Sequence, residues 1–235
     1  MFVSLNIVRY PFYFIPMALF SMAVFRIPLM FNKHVRFWKL LGCGKNGTFD
    51  IYPDWSQWGL LATWETAEDF EQFMSNSFIQ QWWRLFTKEQ WYVLCIPYES
   101  HGKWDGQEPF GSKQPIKNHD GKIAVLTRAS IRFSKLKSFW QNVPRVADSL
   151  NQAEGFITSV GIGEVPLLRQ ATFSIWESLE DVKKFAYKQY AHQAVIKKTR
   201  KEDWYSEELF ARLIPIKTQG TLRGKTPFNT TNATA

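Results

Sequence analysis

Residues 64–73 read WETAEDFEQF, and residues 176–185 read WESLEDVKKF. Tryptophan, two glutamates, aspartate and phenylalanine recur at the same places, 112 positions apart because 176 minus 64 is 112. Five identical residues in the same order and at one spacing indicate that a whole unit of the chain is repeated.

Three further pairs of similar motifs occur in the same order in the two units. They are KEQW (88–91) with KEDW (201–204), GKWDGQEPF (102–110) with GTLRGKTPF (220–228), and GCG (42–44) with GIG (161–163). The repeating unit is therefore about 110 residues long. That length is too great for a solenoid period and is typical of a duplicated domain.

Each unit alternates strand-like and helix-like patterns. In the second unit the predicted strands are 122–133, 155–163, 167–176 and 208–216, and the predicted helices are 134–153 and 178–204. Thr66 and Ser178 each stand three residues before an aspartate at a helix start, which is typical of a capping box. The resulting βαββαβ order is that of the ferredoxin-like motif. We therefore predict an α+β protein, a tandem duplication of a ferredoxin-like unit, with two antiparallel sheets packed face to face around a cavity.

The repeat also sets the boundaries of the units. The first unit spans residues 1–110 and the second spans residues 122–228. Residues 111–121 (GSKQPIKNHDG) are rich in turn formers and are predicted to be a linker. The polar tail at residues 229–235 is predicted to be disordered.

The composition favours a folded protein with an anionic or apolar partner. Hydrophobic residues make up 45% of the chain and the formal net charge is +8, so disorder is excluded and an acidic surface, of nucleic acid or of lipid, is favoured. The aromatic share of 17% indicates a roomy apolar interior or a hydrophobic ligand. The two cysteines, Cys43 and Cys95, cannot form a disulfide scaffold or an iron–sulfur site, which fits a reduced, cytoplasmic setting.

The N-terminal segment contains a long uncharged run. Between Arg9 and Arg26 lie 16 uncharged residues, fewer than the roughly 20 that span a bilayer as a helix. Pro11 and Pro16 interrupt the run, and no small-residue cleavage site follows it. We interpret it as a buried strand-to-helix segment, with a signal peptide or a membrane anchor as the alternatives.

Several common activities lack their motifs. GCGKNG (42–47) satisfies the G-x-G-x-x-G dinucleotide pattern, but no helical pattern follows it, so a turn at the end of a strand explains it better. The chain contains no P-loop, no G-x-S-x-G and no HExxH. It also lacks the basic and aromatic strand motif of an RNA recognition module, so no nucleic-acid partner is predicted.

His192 stands inside a predicted helix, on its core-facing side. From spacing alone, a core histidine held by a hydrogen bond explains it. In the corresponding region the first unit has Trp82 and Trp83, whereas Ala191 and Ala194 flank His192. This difference leaves room for a flat ligand, and haem ligated by one imidazole is such a ligand.

Basic residues that suit a porphyrin occur in the same unit. The propionates of a porphyrin need cations, and the far side of its ring needs a polar group. The basic residues available on the predicted strands are Arg128, Arg132 and Arg169. Each of them alone is more simply explained as a surface or salt-bridging arginine. The other histidines, His34, His101 and His119, occur in loop-like contexts and are predicted to be surface residues.

Five stretches, spread over nearly the whole chain, resemble one enzyme family. They are FWKLLGCGKNGTF (37–49), GKWDGQEPF (102–110), IAVLTRAS (123–130), VGIGEVPLLRQATFSIW (160–176) and EDWYSEELFAR (202–212). They resemble the spheroidene monooxygenases, which are acyclic-carotenoid ketolases. That family is similar to the dimeric α/β-barrel haem proteins, in which a helix histidine of the C-terminal half ligates iron.

The resemblance implies a cofactor and a reaction. His192 is the implied ligand of the iron of haem b, with O2 on the opposite face and Arg128 near bound O2 or a propionate. An acyclic carotenoid is the implied substrate, oxidised to an alcohol and then through a gem-diol to a ketone. Electrons are expected from an external donor such as a reduced ferredoxin, because the chain has no flavin or nicotinamide signature.

Other readings and properties stay open at this point. A haem lyase or dehydratase on the same fold needs no reductant, and a non-catalytic protein would bind haem or carotenoid unchanged. We expect a cytoplasmic protein with peripheral contact at the inner membrane surface, because a carotenoid is dissolved in lipid. The sequence predicts no oligomeric state.

Overall fold

The described residues form eight antiparallel strands that close into one barrel. The computed structural model describes residues 1–45, 51–111, 119–188, 199 and 202–228, with backbone only at 144–148, 187 and 188. The strands are β1 (Phe2–Arg9), β2 (Val35–Gly44), β3 (Pro53–Trp64), β4 (Glu89–Gly102), β5 (Ile123–Ile131), β6 (Phe156–Val165), β7 (Arg169–Trp176) and β8 (Tyr205–Gly220). The helices are α1 (Ile15–Val24), α2 (Arg26–Phe31), α3 (Ala67–Asn76), α4 (Phe78–Phe86), α5 (Leu136–Asn151) and α6 (Leu179–Lys188).

Each half of the chain contributes four neighbouring strands to the barrel. The order around it is β1-β3-β2-β6-β7-β5-β8-β4, and the halves meet where β2 pairs with β6 and where β4 pairs with β8. The α+β class is confirmed, but the strands form one closed barrel rather than two sheets packed face to face. Closure pairs the edge strands that two separate sheets would leave exposed.

The interior of the barrel is filled by side chains. Inward-pointing residues such as Val3, Leu5 and Ile7 of β1 and Ala124 and Leu126 of β5 belong to one buried apolar cluster. An eight-stranded barrel is just wide enough for its own side chains to fill it. The predicted cavity between two sheets is therefore replaced by a packed core.

Helices cover the outer face of the barrel. In the N-terminal half, α1–α4 pack on the strands through a large buried cluster that includes Leu60, Trp64 and Trp83. In the C-terminal half, the described residues form two smaller outer clusters, around Trp176 and around Trp140.

The two repeated stretches occupy equivalent strand-to-helix positions. Trp64 ends β3 and Trp176 ends β7, and a helix follows each of them. The Thr66 hydroxyl accepts a hydrogen bond from the Asp69 backbone N–H at 3.1 Å, and Ser178 accepts the same bond at 3.2 Å in α6. The helix starts inferred from these residues are thus present in the structure.

The turns after β4 and β8 are also alike. Gly106 donates its backbone N–H to the Glu207 carboxylate at 2.8 Å, and Gly224 donates to the Glu89 carboxylate at 2.6 Å. The first residues of β4 and of β8 therefore each hold the turn that follows the other strand. KEQW and KEDW do not correspond, because Trp91 lies inside β4 whereas Trp204 precedes β8.

The N-terminal run is helical but largely exposed, contrary to the prediction of a buried segment. A short 3₁₀ turn, α1 and α2 give a helical segment, Phe12–Phe31, of 20 residues. By length and composition alone it could cross a membrane, and 22% of its most apolar window is buried. Helical structure continues past Arg26, so the segment is longer than the uncharged run, and only one of its faces packs on the barrel.

Three sequence predictions lie wholly or partly outside the described residues. They are most of the linker (112–118), the tail (229–235) and most of the second half of the helix predicted at 178–204, of which α6, Thr199 and Glu202 are described as helical.

Candidate active site

His192 lies outside the described residues, as do Ala191 and Ala194. The described histidines each contact another group: His34 lies 2.9 Å from the Asp69 carboxylate, the His101 ring stacks on Phe210 at 5.1 Å between centroids, and His119 lies 2.8 Å from the Lys122 carbonyl oxygen. His34 and His101 are exposed, as predicted from the sequence, and His119 is half-buried. The role of His192 as an iron ligand stays a prediction.

Arg128, on β5, points into one end of the barrel and is almost completely buried, with 1% of its side chain exposed. Its Nη1 donates to the Glu207 carboxylate, and its Nη2 donates to Glu164 at 3.2 Å. The guanidinium also lies 5.4 Å from the centre of the Trp104 ring, and the indole N–H of Trp104 donates to Glu164 at 2.8 Å. Arg128 is thus held between two carboxylates and an indole.

Asp105 connects Arg128 to Arg169 and Lys39. Its carboxylate accepts a hydrogen bond from Arg169 at 3.1 Å, lies 3.6 Å from Arg128 Nη2 and contacts the Lys39 ammonium. Lys39 also lies 3.1 Å from Glu164. Three cations therefore face three carboxylates in what we name the Arg128 cluster: Lys39, Arg128, Arg169, Asp105, Glu164 and Glu207.

Two carboxylates of this cluster, Glu207 and Asp105, are stabilised in their charged form. Burial alone would raise the pKa of Glu207, but the backbone N–H groups of Gly106 and Asp105 and the Arg128 guanidinium hold that pKa below its usual value. Burial likewise opposes ionisation of Asp105, and Lys39, Arg169 and Arg128 lower its pKa. The cluster is a charge-balanced end to the barrel core.

The structure brings Arg128 and Arg169 together and leaves Arg132 apart. Arg132 follows β5 and pairs with Asp203 at 3.0 Å, with 44% of its side chain exposed. Because both terminal nitrogens of Arg128 already contact carboxylates, a role for it at bound O2 or a propionate requires the exchange of one of these partners. That role stays a prediction.

A second feature lies on the outer face of the C-terminal strands. Because Trp64 and Trp176 end their strands alike, strand pairing assigns the residues of β3 from Gln57 onward, and those of β2 paired with them, counterparts in β7 and β6. The outward pairs, N-terminal residue first, are Trp38 and Ser159, Leu40 and Gly161, Trp58 and Gln170, Leu60 and Thr172, and Ala62 and Ser174. On the neighbouring strands Val8 likewise corresponds to Ala129. In five of these six pairs the first half has the larger side chain, and the exception is Ala62, which is smaller than Ser174.

We name Ala129, Ser159, Gly161, Thr172 and Ser174 the C-terminal small-residue face. The Ser174 hydroxyl has a hydrogen-bond partner, because it accepts a hydrogen bond from the indole N–H of Trp176 at 2.9 Å. The Thr172 hydroxyl oxygen is buried and has no hydrogen-bond partner among the described residues. A buried hydroxyl without a partner is costly, so this face calls for a further polar group or a ligand.

The cysteines do not offer an alternative ligand for iron. Cys43 and Cys95 point into the packed interior of the barrel. Burial raises the pKa of Cys43 to about 12 and raises that of Cys95 as well. Both are therefore neutral thiols at pH 7, whereas metal ligation requires the thiolate. Among the described residues, no group of three or more His, Cys, Asp or Glu side chains could hold a metal ion directly.

Sequence reasoning missed the carboxylates of the Arg128 cluster and the small-residue face. Glu207 had a signal, because the repeated turn motif GKWDGQEPF needs an acceptor for its N–H groups and the start of β8 supplies it. The sequence signal for Gly161 and Thr172 is weaker. Their counterparts, Leu40 and Leu60, are recognised only when the strands are aligned through their hydrogen-bond register.

The comparison with curated proteins identifies relatives over most of the chain. The chain is 32% identical over 214 residues to the spheroidene monooxygenase of Rhodobacter capsulatus, covering 91% of this chain and 89% of that protein. It is 38% identical over 199 residues to that of Rubrivivax gelatinosus, covering 84% and 75%. For the spheroidene monooxygenase of Cereibacter sphaeroides the identity is 34% over 208 residues, which are 88% of this chain and 64% of that protein. No family model matches the chain.

Solved structures share the fold at low sequence identity. An aldoxime dehydratase (OxdRE) in complex with butyraldoxime has a TM-score of 0.59 at 12% identity, covering 91% of this chain and 79% of that one. A second aldoxime dehydratase has a TM-score of 0.57 at 11% identity, covering 91% and 80%. These similarities concern the fold alone, whereas the sequence identities are high enough to show the family. The chain belongs to the spheroidene monooxygenase family.

Proposed function

We propose that this protein is a haem-dependent monooxygenase that oxidises an acyclic carotenoid related to spheroidene. The names of its relatives support an oxygenase of this substrate class. The observation that carries the haem assignment is the C-terminal small-residue face, where glycine, serine and threonine replace the tryptophan and leucine side chains of the other half.

The residues of this half fit a flat macrocycle. Side chains without bulk permit close approach of a planar ring, and the buried Thr172 hydroxyl offers it a polar contact. Arg132 and Arg169 keep 44% of their side chains exposed, so they are more accessible to propionates than the buried Arg128, and each would exchange its present carboxylate partner, Asp203 or Asp105. His192 is the residue that would hold the iron, as the resemblance to the family implies, and the neutral thiols of Cys43 and Cys95 would not. Haem, when bound, supplies the activation of O2.

The proposed reaction requires an external source of electrons. One O2, two electrons and two protons convert a C–H bond into C–OH and release one water. A second round at the same carbon gives a gem-diol, which loses water to leave a ketone. We propose a reduced ferredoxin or a similar protein as the donor. The enzyme itself positions the chain of the carotenoid and excludes water from the reacting carbon.

We also propose that the barrel arose by duplication of a ferredoxin-like unit. Each half runs strand, helix, strand, strand, helix, strand along the described chain. Within each half the spatial order is the same, β4-β1-β3-β2 and β8-β5-β7-β6. The shared register of Trp64 and Trp176 and the reciprocal turn contacts of Glu89 and Glu207 support this origin.

The haem assignment is tested by absorption spectra of the protein expressed with adequate haem supply. We expect a Soret band that shifts with dithionite and again with CO. His192→Ala is expected to lose haem or change the spectrum, whereas the matched variant His101→Ala keeps both. An unshifted Soret band and normal haem content in folded His192→Ala would contradict the ligand assignment.

Product analysis separates the proposed function from its alternatives. With spheroidene, O2 and a ferredoxin system, we expect hydroxylated and keto products that carry ¹⁸O from ¹⁸O2. Turnover that continues without an electron donor would favour a haem lyase or dehydratase. Carotenoid that is bound and recovered unchanged under all these conditions would favour a non-catalytic binding protein.

A further inference from the structure

The segment Phe12–Phe31 presents an apolar face to solvent. Phe12 is 80% exposed and Phe31 is 78% exposed, and Leu19, Phe20, Ile27 and Met30 between them are exposed as well. We name these six residues the N-terminal apolar face. On α4, which packs against the segment through Trp82 and Phe86, Leu85 is also 74% exposed. Apolar side chains concentrated in this way typically mark an interaction surface.

The opposite side of the same segment is fixed to the protein. Ala18, Ser21, Phe25 and Leu29 are buried, at the spacing of one helical face. Phe25 contacts the Trp83 ring at 6.0 Å between centroids. Since both sides are apolar but only one is covered, the helix is held flat on the barrel with its other side available.

The charged residues within the segment and its sequence flanks have one sign. The first acidic residue of the chain is Asp50, so every charged side chain from Met1 to Gly47 is basic; the carboxylate of Asp69, on α3, approaches this region at His34, 2.9 Å away. Arg26, within the segment, and Lys33, just after it, are exposed, as is Arg84 on α4. Among the described residues, no carboxylate forms an ion pair with Arg26 or Lys33. This arrangement complements an anionic surface.

We propose that the N-terminal apolar face docks on an anionic lipid bilayer, with the helix parallel to the membrane plane. Apolar side chains enter the acyl boundary while Arg26, Lys33 and Arg84 contact headgroup phosphates, as in interfacial amphipathic helices. A second copy of this chain is a poorer occupant, because a twofold interface would place Arg26 and Lys33 opposite their own copies without carboxylates from this segment.

The helix lies on the bilayer rather than spanning it. A span would be long enough by residue count, but it would pull Phe25 and Leu29 out of the protein core, where they are 2% and 1% exposed. Lying flat keeps that packing and buries the exposed side as well. The proposal goes beyond the oxygenase function and does not depend on it, because neither haem nor carotenoid enters the argument.

Vesicle flotation of the full-length protein tests the docking. We expect binding to vesicles of phosphatidylcholine with phosphatidylglycerol, and weaker binding to phosphatidylcholine alone. The double variant Phe12→Ser, Phe31→Ser should bind at least tenfold more weakly. Phe133→Ser is the matched control, because Phe133 is 81% exposed but belongs to the other half of the chain.

The charges are tested with Arg26→Gln and Lys33→Gln. Each should weaken binding to the anionic vesicles about fivefold at low salt, as expected for one basic residue near a charged membrane surface, and should have little effect on neutral vesicles. Circular dichroism checks that the variants remain folded. Equal binding of all variants, or no binding by the unaltered protein, would overturn the proposal.

Fluorescent labelling distinguishes docking from spanning and from self-association. The native Cys43 and Cys95 are buried, so Ile27→Cys provides an exposed labelling site, with Phe133→Cys as the control. We expect the label at position 27 alone to shift to the blue with anionic vesicles, at a shallow depth of roughly 5–10 Å. A label at the bilayer centre would show a spanning helix, and a shift caused by protein concentration without vesicles would show a second copy. Either result would replace the docking model.

Discussion

The two halves of the chain build similar sets of strands and helices but use the outer face of their strands differently. The N-terminal half places Leu40 and Leu60 there and covers them with helices, whereas the C-terminal half has Gly161 and Thr172 in the same register. A barrel is held together by its strand pairing and its inward residues. The outward face is therefore free to diverge: one half packs helices on it, and in the proposed function the other half holds a ligand there.

Inside the barrel the two halves differ in the polarity of their side chains. Ile7 on β1 is an apolar member of the core, and Arg128 occupies the same register on β5. At this position the C-terminal half therefore places a charged residue inside the barrel, and its partners come from both halves, Asp105 from the first and Glu164 and Glu207 from the second. The comparison teaches that equivalent positions of a repeated fold keep their geometry while their chemistry changes.

The largest effect is expected when Arg128 is replaced by the residue of the other half. Arg128→Ile leaves the Glu164 and Glu207 carboxylates without their buried cation, so the free energy of unfolding should fall by about 3–5 kcal/mol. Urea unfolding measures it. The triple variant with Glu164→Gln and Glu207→Gln removes the stranded charges and should recover much of the loss. A single variant as stable as the unaltered protein would show that the cluster is not structural.

An exchange between the outer faces should have the next largest effect. Leu60 is fully buried, so Leu60→Thr should destabilise the fold by about 2–4 kcal/mol. The reciprocal Thr172→Leu should change stability by less than about 1.5 kcal/mol. It should nevertheless reduce haem content per folded molecule at least tenfold, because leucine restores the bulk that this face lacks. Thermal unfolding measures the stability and Soret absorbance measures the haem content. Equal losses of stability in the two variants, with unchanged haem content in Thr172→Leu, would contradict the proposed difference between the two outer faces.

The helix starts test where the two halves remain alike. Thr66→Ala and Ser178→Ala each remove one capping hydroxyl, and each should cost about 1 kcal/mol in the free energy of unfolding. Chemical denaturation of the two variants measures the loss. A cost at only one of the two positions would show that the helix starts differ in energy despite their common sequence pattern.

Much of the local structure could be predicted from the sequence. The strand-to-helix transitions at Trp64 and Trp176 and the caps that follow them depend on neighbouring residues, so a pattern of ten residues contains the information. Barrel closure could not be predicted in this way. It depends on pairing between β2 and β6 and between β4 and β8, whose residues are far apart in the chain.

The site was less accessible to prediction for the same reason. The sequence shows Arg128 as a basic residue of a predicted strand, but its partners Glu164 and Glu207 come from other strands and meet it only in the closed barrel. The exposure of Phe12 and Phe31 was also missed, since an apolar run predicts burial and does not show which side of a helix the protein covers. His192 lies outside the described residues, so its role as an iron ligand remains a prediction that rests on the repeat and on the family resemblance.

The smallest expected effect is on the pH dependence of stability, and it compares one carboxylate in each half. Burial alone would raise the pKa of Asp54, but the Ser56 hydroxyl and the Arg9 guanidinium lower it below the usual 3.8. The pKa of Glu207 is held below its usual 4.5 in the same sense, by the Gly106 and Asp105 backbone N–H groups and by Arg128. A carboxyl with a lowered pKa in the folded state stabilises the fold above its unfolded-state pKa, and that stabilisation is lost as the pH falls through the folded value.

Asp54→Asn and Glu207→Gln should therefore each reduce the stability lost between pH 6 and pH 3. The measured quantity is the difference in the free energy of unfolding between these two pH values, so a loss common to both pH values cancels. Glu154→Gln is the matched control, because its side chain is 81% exposed, and an exposed carboxylate contributes little. Both variants remove a carboxylate that is held by an arginine and by hydrogen bonds. We therefore expect the pH dependence of the free energy of unfolding to become weaker by a similar amount in the two variants. A pH dependence as steep in Glu207→Gln as in the control would mean that the C-terminal charges are not held by the contacts described above.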